Sequence, residues 1–147
     1  MVMCAYDEDY VNYVQNNIGH MLDYVVNTLD YDIDDFCGMF VNSRVAWQIE
    51  NGNPKYLVGK TGCELAKVVF RELGKPDDQI EVMYLDRTPE FWTGWVLAYY
   101  QWLRNVPYKT IFSIVPASIV TCMYTTLHEA DISKFVGIMD AKLDIRK

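Results

Sequence analysis

The stretch TPEFWTGWVLAYYQWLRN, residues 88–105, contains three of the four tryptophans in this 147-residue chain. Pro89 suits the first turn of a helix, and the Thr88 hydroxyl can cap the amide groups that this turn leaves free. Large aromatic residues then recur at steps of three, four and three: Trp92, Trp95, Tyr99 and Trp102. A helix that is apolar on almost every side belongs in a membrane or in a protein core. At about 17 residues it is short for a bilayer, so the sequence predicts a buried central helix.

The same aromatic stripe has a functional alternative, a platform that stacks on nucleotide bases. Such platforms carry arginine and lysine between the aromatic residues, whereas no basic residue lies between Glu90 and Leu103. Only Thr93, Gly94 and Gln101 interrupt the apolar surface. Each large aromatic side chain can bury about 150–250 Å². The core interpretation is therefore favoured, and the other helices are expected to pack around this one.

Composition predicts one globular domain over residues 1–147. Hydrophobic residues make up 51% and charged residues 22% of the chain, and no linker-like or repetitive stretch interrupts it. A domain of this length buries about 68–70% of its unfolded surface. The N-terminal residues lack the pattern of a signal peptide, and no run of about 18 apolar residues is present. The expected location is the cytoplasm, with no membrane partner.

Periodicity and capping residues predict about six to eight helices around residues 89–105. Apolar residues at steps of three and four indicate a first helix over residues 9–29. Asp32 can cap a second helix, and Thr61 with Glu64 forms the pattern of a capping box. The expected fold class is therefore all-α, or predominantly α, in a single compact domain built around the tryptophan-rich helix.

One segment alone has the pattern of a strand. Residues 80–85 alternate β-branched or aromatic side chains with other residues, and the nearest pairing partner would be residues 56–58. Lys55 to Val58 can equally form a single helical turn. The sequence therefore allows at most a small two-stranded ribbon on a helical body.

Two stretches resemble catalytic motifs, and each lacks an essential residue. The GKT at residues 59–61 would need a glycine five positions before Gly59 to form a phosphate-binding loop, and Pro54 stands there. The HE at residues 128–129 begins like a zinc-protease helix, but Ile132 occupies the position of the second histidine. The four cysteines and two histidines are also widely separated. The sequence therefore predicts a protein that is not an enzyme and uses no metal or other cofactor.

A pair of carboxylates assembled only by folding is the catalytic alternative that the sequence leaves open. Each of four acids lies where a helix start would explain it: Glu64, Asp86, Glu90 and Glu129. Catalysis would require two of them close together in a concave pocket, with the pKa of at least one strongly raised.

Charge is concentrated in the first third of the chain. Residues 1–43 contain eight of the 20 acidic residues and none of the 13 lysines and arginines, so they account for the net charge of −7. This asymmetry predicts a non-catalytic binding module that docks on a basic protein, such as a toxin or a nuclease. The alternative is an acidic surface that only keeps the protein soluble. The residues predicted to bind the partner are Asp23, Asp30, Asp32, Asp34 and Asp35.

Two other functions compete with this hypothesis. A phage-encoded inhibitor of a nuclease or CRISPR effector could mimic DNA phosphates, provided that the same five aspartates share one exposed face. A DNA-binding regulator could use residues 108–115 and 117–124 as a helix-turn-helix. The second of these helices has no Lys, Arg, Asn or Gln with which to read base edges. The pI of about 4.7 also disfavours nucleic acid as a partner.

Three stretches resemble a family of small bacterial proteins without an established activity. They are DRTPEFWTGWVLAYYQW at residues 86–102, MYTTLHEADISKFV at residues 123–136 and GNPKY at residues 52–56. Members of that family often lie beside toxin-like or mobile-element genes, some of which encode an ADP-ribosyltransferase-like domain. The resemblance covers most of the chain and implies an antitoxin-like role, or one in phage defence. It implies no catalytic residues.

Overall fold

The computed structural model describes residues 3–82 and 87–145, and every regular element in these ranges is helical. This confirms the predicted all-α class. A 3-10 turn (Glu8–Tyr10) precedes the first α-helix, and a π-helical turn (Tyr24–Thr28) follows it. No helix in this part of the chain is long and apolar enough to cross a membrane. The helices are α1 (Val11–Asp23), α2 (Ile33–Val41), α3 (Arg44–Glu50), α4 (Pro54–Leu57), α5 (Gly62–Glu72), α6 (Pro89–Arg104), α7 (Tyr108–Ile114), α8 (Ala117–Cys122), α9 (Tyr124–Leu127) and α10 (Ile132–Leu143).

The tryptophan-rich helix α6 lies at the centre of the molecule, as predicted. Thr88 caps it by accepting a hydrogen bond from the Phe91 amide at 3.1 Å, and Asn105 ends it in a left-handed conformation with φ 52°. Trp92 and Trp102 are buried, and Trp95 is half-buried. One side of α6 contributes to an apolar cluster with α1, α2, α3 and α5, and the other side to a cluster with α7–α10. The helix therefore joins both parts of the core.

Helices α1 and α6 pack at very short range because glycines face each other where they cross. A Cβ atom on Gly94 would lie 2.6 Å from the Ile18 carbonyl oxygen and 2.7 Å from the Gly19 Cα atom. Both neighbours are backbone atoms, which cannot move aside as a flexible side chain can. Gly94 is therefore the contact that sets the distance between the two helices.

No ribbon forms on the side that the structure describes, which agrees with the expectation of at most a small one. Residues 54–57 form the helical turn α4, because Asn53 caps the Lys55 amide at 3.1 Å and Pro54 occupies the first helical position. Residues 80–82 contain no strand, while residues 83–85 lie outside the described part of the chain. The described residues form ten helices rather than six to eight because the single turns α4 and α9 are separate elements.

A buried ionic network fastens α10 to α6. Both carboxylate oxygens of Asp140 accept hydrogen bonds from the Arg104 guanidinium, at 3.0 and 2.8 Å. The Tyr100 hydroxyl donates a third bond to Asp140 at 2.9 Å. Burial and this acceptor raise the pKa of Tyr100, so the phenol stays protonated and continues to donate. The two-pronged pairing also gives α10 a defined register on α6.

The Tyr108 side chain is packed in the core with its hydroxyl unsatisfied. It is 1% exposed, and its hydroxyl has no hydrogen-bond partner among the described residues. Its ring still packs against Phe40, with the ring centroids 5.2 Å apart. Desolvation by burial raises the pKa of Tyr108 well above its ordinary value. The Tyr108 ring therefore stabilises the folded state, while its unpaired hydroxyl destabilises it.

Replacing Tyr108 with phenylalanine is expected to stabilise the protein. The change keeps the ring and removes a buried polar group, so we expect the free energy of unfolding to rise by about 1–2 kcal/mol in urea denaturation. The unfolded tyrosine ionises near pH 10 while the folded one stays protonated, so wild-type stability falls as the pH rises above about 10. Tyr108→Phe should reduce that fall. Tyr13→Phe, at a side chain that is 59% exposed, is the control and should change neither quantity; an equal effect there would contradict this account.

Candidate partner-binding groove

The five aspartates predicted to bind a partner do not share one exposed face. Asp30, Asp32 and Asp35 are exposed and Asp34 is half-buried, whereas Asp23 is only 1% exposed. The four acids from Asp30 to Asp35 lie together at the start of α2. Asp23 lies at the end of α1, before the π-helical turn.

The carboxylate of Asp23 stabilises the fold from inside. Its Oδ1 accepts hydrogen bonds from the Thr88 hydroxyl at 2.6 Å and from the Asn27 amide at 2.8 Å. Asn27 also donates to Glu90 at 2.9 Å. These bonds tie the end of α1 to the start of α6. Asp23 is thereby removed from the predicted partner-binding set, and the condition set for DNA mimicry, five aspartates on one exposed face, is not met.

The remaining acids are arranged by the first turn of α2. Asp32 caps the helix by accepting a hydrogen bond from the Asp35 amide at 3.0 Å. Asp34 points across to α8, where its carboxylate accepts hydrogen bonds from the Ser118 amide at 2.9 Å and from the Ser118 hydroxyl. Asp34 therefore links α2 to α8, while Asp30, Asp32 and Asp35 remain open to solvent.

A groove of about 430 Å³ runs between α2 and the pair α7–α8, and we call it the α2–α7 groove. This volume lies within the range of about 300–1,000 Å³ that is usual for binding pockets. Residues spaced by three and four along α2 line one wall: Asp34, Cys37, Gly38 and Val41. The facing wall is formed by Lys109, Phe112, Ser113, Pro116 and Ala117.

The two ends of the α2–α7 groove carry opposite charges. At one end Asp34 is bonded to Ser118 at the start of α8, and at the other the Phe40 ring lies 5.2 Å from the Tyr108 ring at the start of α7. The two walls are therefore antiparallel. Acids of the α2 start lie at one end of the groove and Lys109 lies at the other, with mostly apolar side chains between them.

Exposed isoleucines extend the apolar surface beyond the groove. Ile114 is 49% exposed and Ile119 is 45% exposed, on either side of Pro116. They border a second hollow of about 440 Å³ that shares Pro116 with the α2–α7 groove. Clustered exposed apolar residues of this kind mark protein interaction surfaces more often than isolated ones do.

The thiol of Cys37 contributes shape and not reactivity to the groove. Burial, with a smaller effect of the negative charges of Asp34 and Asp32, raises its pKa. A protonated, buried thiol is a weak nucleophile and behaves as a small apolar side chain. Cys37 therefore forms part of the apolar wall.

The acids that might have assembled into a catalytic pair lie in separate places. Glu64 is held in its capping box by Thr61, Glu90 is bonded to Asn27, and Glu129 lies 3.5 Å from His128. Asp86 lies outside the described residues. Within residues 3–82 and 87–145, no three His, Cys, Asp or Glu side chains are placed to hold a metal ion.

Sequence reasoning missed the apolar part of the groove. The signal was present on α2, because Asp34, Cys37 and Val41 recur at helical spacing beside the exposed Gly38. The facing wall had no such signal. Lys109 and Phe112 reach the site only because α7 packs antiparallel to α2.

No known protein family, curated protein or solved structure matches this chain. The resemblance to small bacterial proteins near toxin-like genes therefore rests on the three quoted stretches alone.

Proposed function

We infer that this protein is a non-catalytic binding module, and that the α2–α7 groove takes an amphipathic, basic segment of a partner protein. The observation that carries this inference is the combination of an apolar floor with an acidic end that is open to solvent. Asp30, Asp32 and Asp35 are exposed there, beside a groove whose other side continues into Ile114 and Ile119.

The recognition mode is that of a helix lying in a groove. Apolar side chains of the partner segment enter between α2 and α7, and its basic residues lie over Asp32 and Asp35. Lys109 at the opposite end disfavours the reversed orientation. The apolar contacts supply most of the affinity, while the acids accelerate the encounter and make it sensitive to salt.

An antitoxin-like or inhibitor-like role follows if the basic segment belongs to a toxin or nuclease in the same cytoplasm. Covering a basic surface that such a protein needs for its own substrate would neutralise it. A purely solubilising role for the acids would leave the apolar groove and the exposed isoleucines without a purpose. A helix-turn-helix role is less well supported, because α7 and α8 expose Ile114 and Ile119 where polar readers of DNA would be needed.

Blocking the groove is expected to abolish partner binding. Gly38 lies in a helix, is exposed, and has nothing within 4 Å of an added Cβ atom. Gly38→Arg therefore places a long cationic side chain into the groove without disturbing the core. Gly137→Arg is the matched control, since Gly137 is also exposed, helical and unobstructed but lies on α10. Pull-downs from the native host should recover a stoichiometric basic partner with wild type and Gly137→Arg, and not with Gly38→Arg.

The same experiment tests the acids with the recovered partner. Asn also caps helices, so Asp32→Asn with Asp35→Asn removes two charges without removing the cap. We expect about a three- to tenfold loss of affinity at low salt, and a smaller loss at high salt. Asp78→Asn, outside the first third of the chain, should have no effect. Recovery of no stoichiometric partner, or equal binding by Gly38→Arg, would overturn the proposed function.

A further inference from the structure

A second recess lies between α6 and the segment α9–α10, apart from the α2–α7 groove. Two hollows, of about 180 and 260 Å³, share Trp92, Trp95 and His128 in their linings. Arg87, Phe91 and Tyr124 also line the first hollow, and Asp131 borders the second. Because the shared residues join the two hollows, we treat them as one site and call it the tryptophan cleft.

The aromatic walls of the tryptophan cleft are held in place before any ligand arrives. The Tyr124 and His128 rings are stacked, with centroids 4.2 Å apart and planes 14° from parallel. His128 Nδ1 lies 2.7 Å from the Tyr124 carbonyl oxygen; a carbonyl only accepts, so Nδ1 carries the proton and donates. The Trp92 ring meets the Tyr124 ring edge to face at 5.8 Å. A flat ligand would therefore enter a site that needs little reorganisation.

Core packing alone does not account for Trp95. Trp92 is buried, but Trp95 is only half-buried and lines both hollows. Aromatic side chains left accessible in a recess offer surfaces on which a flat ring can stack. No basic residue lies between Glu90 and Leu103, which disfavoured an aromatic platform. Arg87, three residues before Glu90, supplies a basic side chain at the cleft.

Arg87 gives the tryptophan cleft its charge preference. Its guanidinium carbon lies 5.3 Å from the centre of the Phe91 ring, and the side chain borders the hollow that Trp92 and Trp95 line. An arginine held over a ring presents its remaining N–H groups to an oxyanion. Asp131 lies in the other hollow, where it caps the Ser133 amide at 3.1 Å. An anionic group is therefore favoured only at the Arg87 end.

We propose that the tryptophan cleft binds a planar aromatic molecule that carries an anionic group. The ring lies against Trp95 and the stacked Tyr124–His128 pair, and the anionic group contacts Arg87. Two sources share this chemistry, an aromatic carboxylate and a nucleotide. This site uses none of the residues of the α2–α7 groove, so it stands or falls independently of the proposed function.

Three probes that share one ring test the charge preference: indole, indole-3-acetate and tryptamine. Their binding is followed through the indole N–H signals of the protein in two-dimensional NMR. Trp92 and Trp95 should shift with indole-3-acetate, while the exposed Trp47 on α3 serves as an internal reference. The expected order of affinity is indole-3-acetate, then indole, then tryptamine. AMP against adenosine repeats the comparison for the nucleotide source, and whichever anionic probe binds more tightly identifies the source.

Arg87→Gln is expected to weaken the anionic probe by about tenfold and to leave indole unchanged, because it removes a charged donor at the rim of the cleft. Lys60→Gln is the matched control, since Lys60 also lies over an aromatic ring, that of Tyr56, at 5.5 Å. It should bind the probes as wild type does. Tighter binding of tryptamine than of indole-3-acetate would overturn the proposal. So would the absence of shifts at Trp92 and Trp95 with every probe at millimolar concentration.

Discussion

Replacing Gly94 with alanine is expected to destabilise the protein by at least about 3 kcal/mol, above the usual range for an overpacked core position. The added Cβ atom would lie 2.6 Å from the Ile18 carbonyl oxygen and 2.8 Å from the Gly19 amide nitrogen. Backbone atoms of α1 form the obstacle, so the two helices must separate along their whole contact. Such a loss is a large fraction of the total stability of a domain. Urea denaturation followed by tryptophan fluorescence measures it.

The same substitution at two other helical glycines provides the control. Gly38 and Gly137 have nothing within 4 Å of an added Cβ atom, and neither has a positive φ. Alanine there should stabilise the protein by about 0.5–1 kcal/mol, because it reduces the backbone entropy of the unfolded chain. Opposite signs for Gly94→Ala and Gly38→Ala would show that space, and not helix propensity, decides the outcome. A small effect at Gly94 would contradict the close α1–α6 contact.

Replacing Asp140 with alanine is expected to cost about 3 kcal/mol, the lower end of the range for breaking a buried ion pair, because Arg104 keeps partial access to water. The side chains of Arg104 and Asp140 are 19% and 8% exposed. The change also leaves the buried Tyr100 hydroxyl without its acceptor. Thermal and urea denaturation should both report the loss.

An exposed ion pair is the control for this prediction. Arg71 and Asp77 lie 2.7 Å apart, but the Arg71 side chain is 65% exposed. Asp77→Ala should therefore cost less than about 1 kcal/mol. Adding Arg104→Met to Asp140→Ala should recover part of the loss, since no charge is then left unpaired, and the part due to the unpaired Tyr100 hydroxyl should remain. Equal losses at Asp77 and Asp140 would contradict a structural role for the buried network.

The two proposed binding sites lie in separate recesses that share no lining residue. Gly38→Arg and Arg87→Gln each alter one of these sites at an exposed position, so we expect the proposed partner binding and the proposed small-molecule binding to be lost one at a time. A partner whose affinity changes when the tryptophan cleft is occupied would couple the two sites. Titrating the partner with and without indole-3-acetate measures that coupling as a ratio of affinities.

Local sequence patterns predicted the helices correctly because the start and end of a helix depend on residues that are neighbours in the chain. Thr88 and Pro89 predict the start of α6, and the Thr61–Glu64 capping box predicts the start of α5. Both starts are observed. The sequence left a helical turn and an extended piece open for residues 55–58, and the helical turn forms for a local reason as well. Asn53 and Pro54 form a cap and a first turn, and that pair of signals outweighs the β propensity of the apolar residues after it.

The sites were harder to predict because they depend on distance in space. Asp23 and Asp35 are the same residue type in the same acidic third of the chain, yet one is buried against Thr88 and the other is exposed. Nothing next to Asp23 in sequence distinguishes it. Its partner lies 65 residues away, and only the packing of α1 against α6 brings the two together.

By itself, the sequence determined the all-α class, the central tryptophan-rich helix, most of the caps and the acidic first third, because periodicity, capping chemistry and charge count are properties of short segments. Only the tertiary structure decided which aspartates are exposed, that α7 lies antiparallel to α2 to form a groove, and that Tyr124 and His128 face Trp92 and Trp95 to form a cleft. It also placed Gly94, which interrupts the apolar stripe, directly against the backbone of α1. These outcomes depend on how close two backbones can approach, and that distance is set by side chains far apart in the chain.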